Sequence, residues 1–310
     1  MFSLVRLCIF SLLFLAGPLF AATVQDERGR FTLDKTPQRI VVLELSFVDA
    51  LAAVDVSPTG VADDNDPSRI LADVRARLKP WQSVGTRAQP SLEAISALHP
   101  DLIVADSSRH AGIYAALRQI APVLLLKSRN ETWEENLQSA AIIGKVVGKD
   151  KEMQQRLALH RQKMAAFSRQ LPAGASVLFG TSREQQFNLH STQTYTGSVL
   201  TALGLKVPPP IGGARGPPRP GGGAPMAAIN FEQLLALNPQ WLLVAHYRTE
   251  SIVKKWQQDS LWPMLQAEQK GQVAAVDSNS WARMRGIFAA ERIASDMVKI
   301  VHHRAVDITP

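Results

Sequence analysis

Short, continuously apolar segments recur along this chain and constrain its fold more than any other feature. Stretches with helical apolar spacing separate them, and the segments are residues 40–45, 102–105, 123–126, 177–180, 242–245 and 273–276. Strands whose apolar character is continuous rather than alternating are covered on both faces, as in parallel sheets flanked by helices. The pattern therefore predicts an α/β protein.

One segment returns 139 residues later in the chain, since residues 91–104 resemble residues 230–243. Each copy has a side-chain N-cap, a glutamate at the second helical position (Glu93 and Glu232), a proline stop and a buried strand. A capped helix followed by proline and a strand is a common αβ device, so coincidence is one explanation. Two lobes built on one plan is the other.

Residues 150–171, between the two copies, predict one long helix. Asp150 is placed to cap it, and apolar side chains follow helical spacing as far as Pro172: Met153, Leu157, Met164, Phe167 and Leu171. About twenty residues of α-helix span ~30 Å, roughly the width of a small domain. We therefore expect two lobes joined by this helix, with a cleft between them.

The expected division is an N-terminal α/β lobe of residues 22–149, the connecting helix, and a C-terminal α/β lobe of residues 172–310. Proline and glycine fill 13 of the 18 positions from 208 to 225. Such a segment cannot form a helix or a central strand, so it predicts a surface loop within the second lobe.

The first 21 residues predict a secretory signal peptide. Arg6 precedes an apolar run over 7–15, a Gly-Pro break follows, and cleavage is expected near Ala21. An uncleaved anchor is the alternative. The single cysteine, Cys8, lies inside this segment, so the exported chain would have no disulfide and no cysteine metal ligand. The sequence predicts a periplasmic protein.

The formal charge of +7 comes from 34 basic and 27 acidic residues, and 22 of the basic residues are arginines. Several arginines directly follow predicted strands, where ligands of open α/β sheets bind. They are Arg87, Arg109, Arg129, Arg183 and Arg248, with Trp281, Arg283 and Arg285 after the last strand. Surface loops carry arginine in any protein. As a set from both lobes, however, these side chains would hold a small polyanion by charge-assisted hydrogen bonds.

Enzymes and nucleic-acid-binding proteins fit the same loops less well. No glycine-rich dinucleotide or phosphate loop follows a strand, and the seven histidines lack metal-ligand spacing. His190 and His246 could reach a cleft as metal ligands, but structural or solvent-facing roles are favoured. A basic-cleft enzyme acting on a phosphorylated metabolite stays open as an alternative, but Asp63, Asp64 and Glu184 have no recognisable catalytic partner.

Eight peptides spread over nearly the whole mature chain resemble a known family: residues 39–47, 62–66, 79–90, 105–110, 126–131, 180–188, 243–248 and 281–292. The family is the siderophore and cobalamin class of periplasmic solute-binding proteins of ABC importers, and the peptides are most similar to its ferric dicitrate-binding members. The resemblance implies a class III fold of two Rossmann-like lobes, no enzymatic activity and no cofactor. It also implies a monomer that captures iron(III) dicitrate and delivers it to inner-membrane permease subunits, with no nucleic-acid partner.

The resemblance assigns roles to individual residues. The arginines named above would grip citrate carboxylates, with Ser46, Ser108 and Gln185 as neutral donors and Trp281 as an apolar wall. Either Arg283 or Arg285 would point inward, and citrate rather than the protein would ligate the iron. Glu93 and Glu232 would dock into arginine pockets of the permease, although a first-turn glutamate also complements the helix dipole. A hydroxamate siderophore, haem or cobalamin is the alternative ligand for the same fold.

Overall fold

The computed structural model describes residues 22–211, 225–304 and 306, and it contains two five-stranded sheets covered by helices. In chain order the strands are β1 (Ala22–Asp26), β2 (Gly29–Leu33), β3 (Ile40–Val42), β4 (Gly60–Val61), β5 (Gln82–Ser83), β6 (Leu102–Asp106), β7 (Val123–Leu126), β8 (Val177–Ser182), β9 (Phe187–His190), β10 (Met226–Ile229), β11 (Trp241–His246) and β12 (Val273–Val276).

The α-helices lie between the strands and on both faces of the sheets. They are α1 (Leu45–Ala52), α2 (Ala72–Arg75), α3 (Leu92–Ala97), α4 (Tyr114–Ile120), α5 (Trp133–Val146), α6 (Asp150–Ser168), α7 (Tyr195–Ala202), α8 (Phe231–Leu237), α9 (Ile252–Trp256), α10 (Gln266–Gln269) and α11 (Ile287–Val301). The α/β class predicted from the apolar runs is confirmed.

The first sheet has the order β5-β4-β3-β6-β7, and every pairing in it is parallel. Alternate residues of one strand enter different hydrophobic clusters: Leu102 and Val104 pack on one face, whereas Ile103 and Ala105 pack on the other. This is why the apolar run is continuous. The run at 40–45 is only partly a strand, because β3 ends at Val42 and α1 begins at Leu45.

The second sheet is mixed, with the order β10-β9-β8-β11-β12. Strands β8, β11 and β12 are parallel, but β9 and β10 add antiparallel pairs at one edge. A short turn joins β8 to β9, where the amide of Arg183 donates to the carbonyl of Gln186. The expectation of parallel-rich sheets therefore holds fully for the first sheet, whereas half of the pairings in the second are antiparallel.

Helix α6 stands between the two sheets in sequence, as the apolar spacing predicts, and it buries Met153, Leu157, His160 and Met164. It ends at Ser168, three residues earlier than expected. Asp150 is its first helical residue rather than its N-cap, since Lys149 holds that position without a side-chain cap bond. A carboxylate in the first turn still complements the helix dipole.

One hydrophobic cluster joins the two sheets, because Val42 and Val104 of the first sheet belong to the same buried cluster as Val177 and Leu243 of the second. A further link is polar. The carboxylate of Asp49, in α1, accepts hydrogen bonds from the first backbone amides of α11, including Ile287 at 2.6 Å. A shared core and a shared helix cap restrict how far the two sheets can move relative to each other.

The two copies of the internal repeat have the same local structure. Ser91 and Asn230 each cap a helix by accepting from the amide three residues on. The residues before the prolines, His99 and Asn238, both have left-handed backbone, with φ of 44° and 39°. The likeness therefore extends to the backbone angles that end each helix.

Two predictions fall on residues outside the described ones. The signal peptide, residues 1–21, lies there entirely, as do residues 212–224 of the expected 208–225 loop. Within the part of the chain that the structure describes, no helix has both the length and the apolarity needed to cross a membrane.

Candidate functional site

Asp106, at the carboxyl end of β6, organises two of the arginine loops. Its carboxylate accepts from the amides of Ser108 and Arg109 on one side, and from those of Ser128 and Arg129 on the other. Although burial raises the pKa of Asp106, these backbone hydrogen bonds lower it below its usual value. An ionised Asp106 thus fixes the loops after β6 and β7 in one arrangement.

His110 connects this strand end to the loop that carries Arg87. Its Nδ1 accepts from the amide of Asp106, and its Nε2 lies 2.9 Å from the carbonyl oxygen of Arg87. Since Nδ1 accepts, Nε2 carries the proton and donates. Burial lowers the pKa of His110, so the neutral ring holds the Arg87 loop in place.

Arg87 is held by Asp64. The Nε and Nη2 atoms of Arg87 lie 2.9 and 2.7 Å from Oδ2 of Asp64, and Arg69 donates to the same oxygen at 2.6 Å. Burial raises the pKa of Asp64, but the hydrogen bonds and charge of Arg87, with those of Arg69, lower it to about 2. Two guanidinium groups therefore share the Asp64 carboxylate, and Nε of Arg69 also lies 3.4 Å from Oδ2 of Asp66.

Arg109 contacts a second carboxylate, Glu44, which follows β3 and is the N-cap residue of α1. The Nε of Arg109 lies 2.5 Å from Oε1 of Glu44, and Nη1 of Arg87 lies 3.8 Å from Oε2. The 2.5 Å contact lacks the alignment of a hydrogen bond. Only 1 % of the Glu44 surface is exposed. Glu44 is thus a buried carboxyl group between two arginines.

In the second half of the chain, two arginines stack on the ring of Tyr247. The guanidinium carbons of Arg183 and Arg283 lie 4.9 and 4.3 Å from the centroid of the Tyr247 ring. Arg283 is further held by hydrogen bonds from Nη1 to Ser278 Oγ and Asn279 Oδ1. Cation–π stacking of this kind pre-organises guanidinium groups without neutralising them.

The arginines of the two halves face each other. Burial lowers the pKa of Arg283, and the positive charges of Arg69 and Arg87 lower it further. Arg69 and Arg87 belong to the loops of the first sheet, whereas Arg283 follows β12 of the second. Five arginines, namely Arg69, Arg87, Arg109, Arg183 and Arg283, thus outnumber the three carboxylates that pair with them, Glu44, Asp64 and Asp66.

Arg285 has a different role from Arg283. Its Nη1 donates to the carbonyl oxygen of Ser128 at 2.7 Å, which joins the second half of the chain to the first. Ser46 and Ser128 share a buried hydrogen bond of 2.7 Å between their hydroxyl groups. Ser46 therefore supports the loop that Arg285 contacts.

The structure does not bring all the predicted side chains together. Arg129, Arg248 and Gln185 are exposed, and neither Arg129 nor Arg248 forms a side-chain ion pair with a described residue. The Ser108 hydroxyl donates to Asp106. The prediction that Trp281 forms a wall of the cleft is wrong: its side chain is fully buried against Phe179, and its Nε1 donates to Asp296.

Sequence reasoning missed the roles of four residues of the site. They are Glu44, Arg69, Tyr247 and Asp106, the last of which fixes the loops after β6 and β7. Glu44 left a signal, because it is the one charged residue in an apolar run. Asp64, considered as a catalytic acid, instead forms ion pairs with arginines. No group of three or more histidine, aspartate or glutamate side chains in residues 22–211, 225–304 and 306 is arranged to hold a metal ion.

Comparison with known proteins agrees with this architecture. The family model described as periplasmic binding protein matches residues 40–280. The chain belongs to the periplasmic binding protein family. Members of this family are substrate-binding transport proteins and not enzymes, and this member is one of them.

Two curated relatives of this family member carry informative names. The Fe(3+) dicitrate-binding periplasmic protein FecB of Escherichia coli is 68% identical, over 99% of both chains. The Fe(3+)-citrate-binding protein YfmC of Bacillus subtilis is 36% identical, over 91% of this chain and 86% of its own.

Solved structures share the fold. SirA of Staphylococcus aureus, complexed with staphyloferrin B, superposes with a TM-score of 0.74 at 22% identity, over 90% of this chain and 98% of its own. The petrobactin-binding protein YclQ of Bacillus subtilis has a TM-score of 0.73 at 19% identity, over 91% and 98%. These likenesses show that the periplasmic binding protein has the class III fold.

Proposed function

We propose that this periplasmic binding protein captures iron(III) dicitrate in the arginine-lined cleft between its sheets. The observation that supports this most is the facing set of arginines, with Arg69 and Arg87 in the first half of the chain and Arg183 and Arg283 in the second. Ferric citrate complexes are compact anions whose iron is ligated by citrate oxygens. Guanidinium forks suit their outward carboxylates, and the protein need not ligate the metal.

The two citrate-binding relatives support the same ligand. Arg87, Arg109, Arg183 and Arg283 are the proposed contacts, with Arg129, Arg248 and Gln185 as exposed side chains at the rim. Calorimetry with ferric citrate, iron-free citrate and a ferric hydroxamate siderophore tests the proposal. We expect binding of ferric citrate in the micromolar range or tighter. Preference for the hydroxamate would identify a different siderophore as the ligand.

Delivery to an ABC importer is the second part of the proposal. Glu93 and Glu232 are exposed, occupy equivalent first-turn positions, and belong to different halves of the chain. One carboxylate from each of two lobes, residues 22–149 and 172–310, would then dock into arginine pockets of the permease. The protein would act as a monomer.

We further propose that residues 1–21 direct export to the periplasm and are removed near Ala21. Family membership supports a periplasmic location. Mass spectrometry of the protein recovered from periplasmic extracts gives the N-terminus directly, and a mature chain that retains Arg6 would reject cleavage.

A further inference from the structure

Glu44 stands out among the charged groups of the cleft because burial favours its protonated form, whereas the neighbouring arginines favour its ionised form. It is buried, and it is flanked by Arg109 at 2.5 Å and Arg87 at 3.8 Å. Its Oε1 atom has no aligned hydrogen-bond donor. A buried carboxylate in which one oxygen lacks a fitted donor is sensitive to changes in the charges around it.

We propose that Glu44 is an internal counter-ion of the cleft, which keeps Arg87 and Arg109 paired in the free protein and takes up a proton when the carboxylates of an anionic ligand reach them. This inference rests on the proposed function. The proton comes from solvent and joins one carboxylate oxygen of Glu44. Its uptake neutralises a charge that would otherwise repel the ligand.

Two other carboxyl groups, Asp106 and Glu131, lie near Glu44, and their surroundings differ from those of Glu44. Burial raises the pKa of Glu44, the charges of Arg109, Arg87 and Arg285 lower it, and the charge of Asp106 raises it, with a net rise from 4.5. Asp106 stays ionised because five donors satisfy it. Burial raises the pKa of Glu131 well above its usual value, and the side-chain amide of Asn136 donates to its Oε1 at 2.9 Å, a partner that Oε1 of Glu44 lacks.

The sign of the effect follows from these charges. A ligand carboxylate beside Arg87 and Arg109 adds negative charge and weakens the attraction of both guanidinium groups for Glu44, so the pKa of Glu44 rises on binding. A site that gains a proton on binding has an affinity that increases as the pH falls. We expect this dependence above pH 4.5, the usual value for the group.

Calorimetry of ferric citrate binding, repeated in buffers of different ionisation enthalpy, counts the protons taken up. We expect the wild-type protein to take up about one proton more than Glu44→Gln, because the titration of the ligand is common to both and cancels. Glu44→Gln should bind about tenfold more tightly at neutral pH, and the two affinities should converge as the pH falls. Equal proton counts and a constant affinity ratio would overturn the proposal.

Asp64→Asn is the matched control. Asp64 also pairs with Arg87, but its pKa of about 2 keeps it ionised. This variant should change affinity and retain the extra proton. Infrared difference spectra of the wild-type protein with isotopically labelled citrate need no variant, and they should gain a protonated-carboxyl band on binding. Absence of that band would reject Glu44 uptake, whereas absence of any ferric citrate binding would reject the proposed function as well.

Discussion

The guanidinium carbon of Arg283 lies 4.3 Å from the centre of the Tyr247 ring, and Arg183 stacks on the same ring at 4.9 Å. One aromatic side chain thus holds two like charges on the side of the cleft opposite Arg87 and Arg69. Keeping two arginines together costs electrostatic energy in the free protein, and a multiply negative ligand offsets that cost. The stack therefore pre-organises the cleft for an anion.

Replacing the Tyr247 ring should weaken ligand binding. Tyr247→Leu removes the ring face on which both guanidinium groups rest, a loss of about 1–2 kcal/mol for one cation–π contact with the half-buried Arg283 and one with the exposed Arg183. We expect the dissociation constant of ferric citrate to rise about tenfold in calorimetry. Tyr247→Phe keeps the face and should bind like the wild-type protein. Equal weakening by both substitutions would mean that the hydroxyl, and not the stack, matters.

A substitution at Gly286 should lower the stability of the protein. Its φ is +136°, and an added Cβ would lie 2.1 Å from Cγ of Asp49, the carboxylate that caps α11. Gly286→Ala combines backbone strain with loss of a buried cap, and should lower the free energy of unfolding by about 2–4 kcal/mol. Urea denaturation measures it. The control is Gly112→Ala, since nothing lies within 4 Å of its added Cβ; a comparable loss there would undermine this explanation.

The buried His160 predicts a pH-dependent stability. Trp133 Nε1 donates to His160 Nε2 at 3.1 Å, and His160 Nδ1 lies 2.9 Å from Glu291 Oε1. Burial lowers the pKa of His160 although Glu291 raises it, and the net change is downward from 6.5. Below pH 6.5 the unfolded chain therefore binds a proton at this histidine that the folded protein does not bind. The free energy of unfolding is highest above pH 6.5 and decreases as the pH falls below that value.

His160→Gln should reduce that loss. Unfolding free energies measured between pH 7 and about 5 should fall less steeply for the variant than for the wild-type protein. Glu291 stays ionised in this range, because burial raises its pKa but His160 and Arg156 lower it to about 2. His302→Gln, at an exposed histidine after α11, should keep the wild-type slope. Identical slopes for all three proteins would show that folding leaves the pKa of His160 unchanged.

If Glu93 and Glu232 dock on the permease, a variant without them should bind ferric citrate but should not support its transport. The double substitution Glu93→Ala, Glu232→Ala should leave ferric citrate affinity unchanged, because both side chains are exposed and belong to α3 and α8 rather than to the arginine loops. Uptake of iron from ferric citrate by whole cells should fall to background. Asp73→Ala, Glu268→Ala removes two other exposed first-turn acids and should transport normally. Normal uptake by the first pair would reject docking.

Much of the fold was predictable because burial on both faces makes parallel strands continuously apolar. The run at 102–105 became the core of β6, and the spacing of Met153, Leu157 and Met164 marked the buried side of α6. Capping residues and prolines also act locally, so they identified α3 and α8. The antiparallel edge formed by β9 and β10 was not predicted, since it depends on a turn that sequence pattern does not distinguish from a loop.

The sequence predicted the positive charge of the site, but it did not predict which carboxylate each arginine contacts. Arginines after strand ends indicated where the cleft lies, but which carboxylate each one contacts depends on how neighbouring strands align. Arg109 reaches Glu44 across β3 and β6, a contact between residues 65 positions apart. Trp281 was misplaced for a related reason: a large aromatic near a strand end fits a cleft or a core equally well, and here Asp296 and Phe179 hold it in the core.

The measurement that tests the account most directly is calorimetric titration of ferric citrate into the wild-type protein, Arg87→Ala and Arg183→Ala. These variants remove one guanidinium group from each side of the cleft, and each charge-assisted contact is worth about 1.5–3 kcal/mol. Arg118→Ala, at an exposed position of α4, is the matched control. The account predicts at least tenfold weaker binding for both cleft variants and unchanged binding for the control. Cleft variants that bind ferric citrate as tightly as the wild-type protein would contradict it.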